Sequence, residues 1–171
     1  ENLLSVTRIQ DERGVATVIK TEESLEEVIS SAVGRFRKRF PEVQVQVCIP
    51  ESFIMVPMDA TLIEQVINNL LENAYFHSGS HGPIDLQASV DGPYVSIAIR
   101  DQGNGIRPEL LGTLFDGGGV SDNQTGDSHK GMGIGLTLCK TIINAHGGHI
   151  EASNYDKGAL FTFTLPDWRE Y

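Results

Sequence analysis

Residues 61–77 read TLIEQVINNLLENAYFH, and the spacing of the apolar positions in this stretch decides what must surround it. At about 100° per residue, Leu62, Ile63, Val66, Ile67, Leu70, Leu71 and Ala74 share one arc of about 180°. This predicts a helix with one face given to a core, and Asp59 stands where its N-cap belongs. Asn69 and Asn73 fall together at one edge of the arc, one turn apart. Glu72 points further toward solvent, and His77 lies one turn beyond Asn73. Amides are poor helix-interior residues because their side chains compete for backbone hydrogen bonds. Two of them stacked at a core edge point either to capping of neighbouring loops or to a polar ligand. An amide oxygen is a hard, neutral donor suited to Mg²⁺, which keeps waters and substrate phosphates as its other ligands.

Upstream of this helix, Ser24 and Glu27 have capping-box spacing. Leu25, Val28, Ile29, Ala32, Val33 and Phe36 then recur at helical spacing. Pro41 ends that second helix. Val43, Val45, Val47 and Ile49 alternate with other residues as in a strand, and residues 15–21 predict another. Residues 1–8 read as the end of a helix that begins further upstream, followed by a polar linker ending at Gly14. Downstream, residues 84–90 and 94–100 flank Asp91-Gly92-Pro93 as a hairpin. Leu110, Leu111, Leu114 and Phe115 suggest a short helix. Residues 117–130 hold four glycines and almost no aliphatic side chain, the composition of a mobile functional loop. Ile134, Leu136, Leu138, Ile142 and Ile143 mark a further helix stopped by Gly147-Gly148. Residues 149–154 and 159–165 form a closing hairpin. The order β-α-β-α-β-β-loop-α-β-β predicts an α+β sandwich: one mixed, mostly antiparallel sheet with helices on one face.

The 171 residues carry 13 Lys+Arg against 23 Asp+Glu, a net charge of −10. This excess argues against a nucleic-acid partner and against contact with an anionic membrane, both of which need clustered positive charge. No apolar run reaches the roughly 18 residues of a membrane span, and ENLLSVTRIQ does not read as a secretory signal. Cys48 and Cys139 follow no metal-ligand spacing and are expected to be buried, reduced thiols.

Two further motifs carry chemistry. Asp101-Gln102-Gly103-Asn104-Gly105-Ile106 follows a strand directly. A carboxylate at a strand end can accept from the exocyclic amino group of adenine, and the glycines let backbone approach a ligand; a plain Asx turn is the bland alternative. Lys130 then precedes Gly131-Met132-Gly133-Ile134-Gly135-Leu136 at the start of a helix. The exposed amides and positive dipole end of such a start form an anion site. This run lacks the pattern of a P-loop or of a dinucleotide fingerprint.

NxxxN on a helix, DxGxG after a strand and GxGxG opening a helix supply metal, base and phosphate binding in turn. As a set they resemble the catalytic ATP-binding domain of sensor histidine kinases (the GHKL, or Bergerat, ATP-binding family). QVINNLLENAYFH resembles their N box, DQGNGI their G1 box and GMGIGL their G2 box. CKTIINAHGGHIEASN and KGALFTFTLP are similar to their closing helix and hairpin. ENLLSVTRI and the closing segment are further similar to the kinases that regulate potassium uptake. The resemblance covers nearly the whole chain.

It implies a Bergerat-type sandwich with a mobile ATP lid, binding ATP and Mg²⁺. On the matched positions, Asn73 coordinates Mg²⁺ and Asn69 lies beside the phosphates. Asp101 bonds adenine N6, and the loop of Gly103, Gly105 and Ile106 closes around the base. The amides of Gly131, Met132, Gly133, Ile134, Gly135 and Leu136 meet the phosphates, with Lys130 in reach of them and His77 near the nucleotide. The catalytic group is thus Asn69, Asn73 and Lys130. Residues 1–14 would end a dimerisation helix and residues 15–171 form the catalytic domain. The implied partners are the phosphoacceptor domain, a response regulator and a second copy in the full-length dimer. The implied setting is the cytoplasmic part of a membrane-anchored bacterial sensor.

The sequence departs from the family pattern in several places. Phe76 stands where a Lys or Arg contacts phosphate, and His77 where a Tyr is usual. Gly117-Gly118-Gly119 replaces a lid Phe, and Ala159-Leu160 replaces small hydroxyl residues. The implied chemistry is transfer of the γ-phosphoryl group to a histidine. The family's acceptor His precedes an acidic residue, whereas His77, His81, His129, His146 and His149 precede Ser, Gly, Lys, Gly and Ile. The acceptor is therefore expected outside this chain. Related hydrolases place a Glu general base where Asn69 stands, and an amide cannot abstract a proton. Besides a GHKL-type ATPase, a non-catalytic nucleotide-binding scaffold is the remaining reading, motivated by Phe76 and the altered lid.

Overall fold

A computed structural model describes residues 18–77, 83–115, 130–155 and 158–167, with side chains undescribed at His77 and over 130–134. The helix end and linker expected over 1–14, the lid over 117–129, and His81, Trp168 and Tyr171 lie outside the described residues. In chain order the elements are β1 (Thr21–Ser24), α1 (Leu25–Arg39), β2 (Val45–Cys48), β3 (Met55–Met58), α2 (Ala60–His77), β4 (Ile84–Asp91), β5 (Tyr94–Arg100), α3 (Pro108–Leu111), α4 (Lys130–Ala145), β6 (His149–Tyr155) and β7 (Gly158–Pro166).

The five-stranded sheet has the order β2-β4-β5-β7-β6. β2 runs parallel to β4, and the other neighbours are antiparallel. This is the mixed, mostly antiparallel sheet expected. A single sheet is not the whole architecture, however. β1 and β3 form a separate antiparallel pair. β3 reads Met-Val-Pro-Met, and its proline, which cannot donate to a ladder, hides the strand from periodicity. β1 is also shifted from expectation: the described part of the predicted strand over 15–21 becomes extended pairing at Thr21 and continues to Ser24, directly against the helix start. β2 is shorter than the alternation of valines suggests. Of its residues Val45 is buried, whereas Val47 is 37% exposed at the sheet edge.

The apolar stripe of α2 behaves as its spacing requires. All seven apolar residues of the arc are at most 1% exposed. The six apolar positions of α1 are likewise buried. Full burial of each Val, Leu, Ile or Phe among them is worth about 1.5–3 kcal/mol against leaving it in water. On the strands, every second residue, including Leu86, Val95, Ile97, Ile99, Phe161, Phe163 and Leu165, faces this layer. α1 packs on α2, α2 on α4, and α2 and α4 on the sheet, so the helices cover one face.

The helix ends are fixed locally. Ser24 Oγ accepts from the Glu27 N–H at 3.3 Å. Asp59 Oδ1 accepts from the Leu62 N–H at 3.4 Å, as an N-cap does. At the end of α4, Gly147 takes φ +82°. The Gly148 N–H then donates to Ile143 O and the Gly147 N–H to Asn144 O, the bond pair of a Schellman stop. Among the described residues no helix is long and apolar enough to cross a membrane.

Candidate functional site

The site begins on α2, where helical spacing places Asn69 and Asn73 at the margin of the buried stripe. Asn73 is 5% exposed, and its Oδ1 is buried with no hydrogen-bond partner among the described residues. Leaving such an oxygen unpaired costs about 1–3 kcal/mol, a cost that a ligand bound there would remove. Asn69 is half-buried and turns its Nδ2 across to α4, donating to Gly135 O at 3.5 Å and lying 3.7 Å from Cys139 Sγ. A Cβ on Gly135 would stand 3.7 Å from the Asn69 amide carbon. The first and third motifs, 66 positions apart in the chain, therefore meet.

Cys139 is completely buried, and that burial pushes its thiol up to about 12, partly offset by the Asn69 contact. It is a neutral packing group with no thiolate chemistry, as expected. Cys48, by contrast, is exposed, against the expectation of burial, because β2 is an edge strand.

The second motif leaves the end of β5. Asp101 is 3% exposed. Its backbone N–H donates to Ala159 O at 3.1 Å, and its Oδ1 accepts from the Gly103 N–H at 2.9 Å and from the Ala159 N–H at 3.1 Å. The Gly103 bond is the Asx turn that sequence alone allowed. The Ala159 bond goes beyond it: the carboxylate is clamped through one oxygen, and Oδ2 has no partner among the described residues. Ala159 serves through its backbone, so the missing hydroxyl at that position removes nothing from the clamp. Gly158 is required beside it, because a Cβ there would lie 1.9 Å from Asp101 O.

The loop then reaches Gly105, at φ +84°, and Ile106. Asn154, at the end of β6, accepts from the Ile106 N–H at 2.6 Å and donates to Ile106 O at 2.8 Å. Sequence reasoning did not select Asn154 as a site residue. Its only signal was a polar amide near a strand end, which is ordinary.

His146 directly follows the last residue of α4 and is bonded to two elements. It is 1% exposed. Its Nδ1 lies 2.8 Å from Ile142 O, and its Nε2 accepts from the Asp59 N–H at 3.0 Å. These contacts assign the neutral ring with the proton on Nδ1. Burial holds its pKa below the ordinary histidine value; the Ile142 carbonyl and Asp59 oppose the shift and Lys20 adds to it. The ring staples the end of α4 to the start of α2.

Phe76 joins an aromatic cluster, with ring centroids 5.9 Å from Phe40 and 5.1 Å from Tyr75. It is 43% exposed. The departure from a basic residue is thus taken up in packing against the end of α1. The side chains of His77, Lys130, Gly131, Met132, Gly133 and Ile134 lie outside the described residues; the backbone places Lys130 at the first position of α4. No hydrogen bond among the described residues joins the Asp101 group to the Asn69–Asn73 group. They are held in common by the sheet, since α2 packs on β5 and Asp101 follows β5.

Known proteins with the same features can be set beside this geometry. A family model for the histidine kinase-, DNA gyrase B-, and HSP90-like ATPases matches residues 58–169. The chain is 42% identical over 167 residues to the sensor protein KdpD of Clostridium acetobutylicum, covering 97% of this chain and 18% of that protein. It is 34% identical over 166 residues to KdpD of Escherichia coli K12, covering 96% of this chain and again 18% of the relative. This chain thus spans less than a fifth of the length of these relatives. Among solved structures, the nucleotide-free catalytic domain of histidine kinase ThkA superposes with a TM-score of 0.73 at 26% identity, covering 88% of this chain and 99% of that one. The chain belongs to the histidine kinase-, DNA gyrase B- and HSP90-like ATPase family, as an ATP-binding domain of the sensor-histidine-kinase kind.

Proposed function

We propose that the chain holds Mg·ATP among α2, the loop after β5 and the glycine run of α4. It would present the γ-phosphoryl group to a histidine on a dimerisation domain of the whole protein. The observation that carries this reading is the buried, unpartnered Asn73 Oδ1 one helical turn from Asn69, which itself reaches Gly135. The donor chemistry fits Mg²⁺: a neutral amide oxygen is a hard ligand, and phosphate and water oxygens would complete the ion's shell. Mg²⁺ held by Asn73 would supply charge neutralisation at the phosphates. The chain's own residues do the positioning. Asp101, fixed through Oδ1, offers Oδ2 to the exocyclic amino group of adenine. The amides at the start of α4 would meet the phosphates with the helix dipole behind them, and Lys130, the first residue of that helix, is the proposed cation for them.

Phosphoryl transfer asks a protein mainly for positioning and charge stabilisation. The acceptor imidazole nitrogen attacks the γ-phosphorus, and ADP leaves with the bonding electrons. Asn69 in place of a carboxylate leaves no base there to activate water, which supports transfer over hydrolysis. The partners proposed are the phosphoacceptor domain, a response regulator and a second copy in the full-length dimer. The proposed setting is the cytoplasmic part of a membrane-anchored bacterial sensor.

Calorimetry with a non-hydrolysable ATP analogue tests the reading. Wild-type protein should bind more tightly with Mg²⁺ than without. Asn73→Ala should lose that gain, about tenfold or more, with little change in the metal-free affinity. Equal affinity with and without the ion in wild-type protein would refute the role of Asn73.

A further inference from the structure

We propose that Asn154 is a positioning residue for base recognition, holding the adenine loop closed through the backbone of Ile106; this rests on the reading that residues 101–106 receive the purine. Among the described residues, the loop after β5 is hydrogen-bonded to the rest of the domain at its two ends. At the first end, Asp101 Oδ1 takes the Gly103 N–H and the Ala159 N–H. At the second, the Asn154 amide pairs with both backbone polar groups of Ile106, at 2.6 and 2.8 Å. Asn154 and Ala159 are cross-strand partners in the β6–β7 ladder. One rung of one hairpin therefore grips both ends of the loop.

The amide geometry is specific to this role. A carboxamide offers one acceptor and one donor side by side, matching a backbone N–H and C=O as a neighbouring strand would. Gly105 makes the approach possible. Its φ of +84° turns the chain, and a Cβ there would lie 2.7 Å from Asn154 Oδ1. Asn154 is exposed, yet an asparagine that served only to meet solvent would need neither the paired bonds to a residue 48 positions earlier nor a glycine beside it.

The clasp acts on the base half of the site and not on the phosphate half, which α2 and α4 build. The test therefore compares three probes on the full 171-residue chain: a non-hydrolysable ATP analogue, the corresponding GTP analogue and inorganic tripolyphosphate. Asn154→Ala should weaken the ATP analogue about tenfold and lower the ATP/GTP affinity ratio by a similar factor. Tripolyphosphate binding should stay within about twofold. Asn154→Asp, which keeps the acceptor for the Ile106 N–H and loses the donor, should fall between the two; it also decides the matter if the alanine variant does not fold.

An unchanged ATP/GTP ratio in these variants would overturn the clasp, as would an equal loss for tripolyphosphate, the signature of general loosening. Wild-type protein that binds the ATP and GTP analogues alike would overturn the adenine reading of Asp101, and the clasp with it. Wild-type discrimination that survives in Asn154→Ala would overturn the clasp alone.

Discussion

At the scale of single residues, Asp101 separates holding from recognising. Oδ1 is consumed by two backbone N–H groups of its own domain, so the oxygen left for a ligand is Oδ2. Asp101→Asn can keep an acceptor toward Gly103 and Ala159 while replacing Oδ2 with an NH₂ group, which cannot accept from an amino group. The expected result is an ATP affinity about 10- to 100-fold lower, the worth of a hydrogen bond to a charged group. The melting temperature should stay within a few degrees of wild type. Titration calorimetry and a thermal melt on the same sample check both halves. A large loss of stability with unchanged affinity would mean that Asp101 is only a clamp.

At the scale of elements, two joints hold the site in place, and they differ in kind. The first is steric: β7 starts at Gly158 because Asp101 O occupies the space of a Cβ at 1.9 Å. A carbonyl cannot rotate aside as a side-chain tip can, so Gly158→Ala must displace backbone. The expected cost is about 1–3 kcal/mol, read as a fall in melting temperature of about 5 °C. The second joint is the His146 staple between α4 and α2, and it is pH-sensitive. Burial depresses the folded-state pKa, so the unfolded chain takes up a proton at His146 before the folded one does. The stability this residue contributes is complete above about pH 6.5, the unfolded value, and is lost as pH falls from there toward the folded pKa. The loss is at most about 1.4 kcal/mol per pH unit. Burial sets the direction of the shift, Lys20 adds to it, and the Ile142 carbonyl and Asp59 oppose it. Denaturant unfolding of wild type and His146→Gln between pH 7.5 and 5 should show a steeper decline in the wild type. Parallel curves would mean that other groups govern the acid limb.

These joints also mark the boundary of what the linear sequence reveals. The helices α1 and α2 were legible because burial of one face imposes a repeat that survives in the order of residues. The pairing of Asn69 with Gly135 was legible only as chemistry, since both motifs suit one ligand. β3 was hidden by Pro57, and the β1–β3 pair with it. The pairing of Asn154 with Ile106 was invisible because it lies in the register of a hairpin against a loop, which no local pattern records.

At the scale of the whole molecule, the charge and histidine content bear on what the chain can do alone. It spans 18% of the length of its KdpD relatives. Of its five histidines, His146 is buried and used on both ring nitrogens. His149 is exposed beside Glu151, with 4.0 Å between Nε2 and Oε1, and Ile150 follows it in place of an acidic residue. A phosphoacceptor must bring a free ring nitrogen to the γ-phosphorus in line with the leaving oxygen, which His146, engaged at both ring nitrogens, does not have; His77, His81 and His129 precede Ser, Gly and Lys in place of the family's acidic residue. The isolated chain incubated with γ-labelled ATP and Mg²⁺ should therefore acquire no acid-labile, base-stable phosphate. A separately produced dimerisation domain carrying an acceptor histidine should become labelled when added, and Asp101→Asn should slow that labelling about 10- to 100-fold at ATP concentrations below saturation. Phosphate appearing on any of the chain's own histidines would contradict the assignment of the acceptor to another domain. Rapid release of inorganic phosphate without any acceptor would instead place the chain with the hydrolysing members of its family, despite the amide at Asn69.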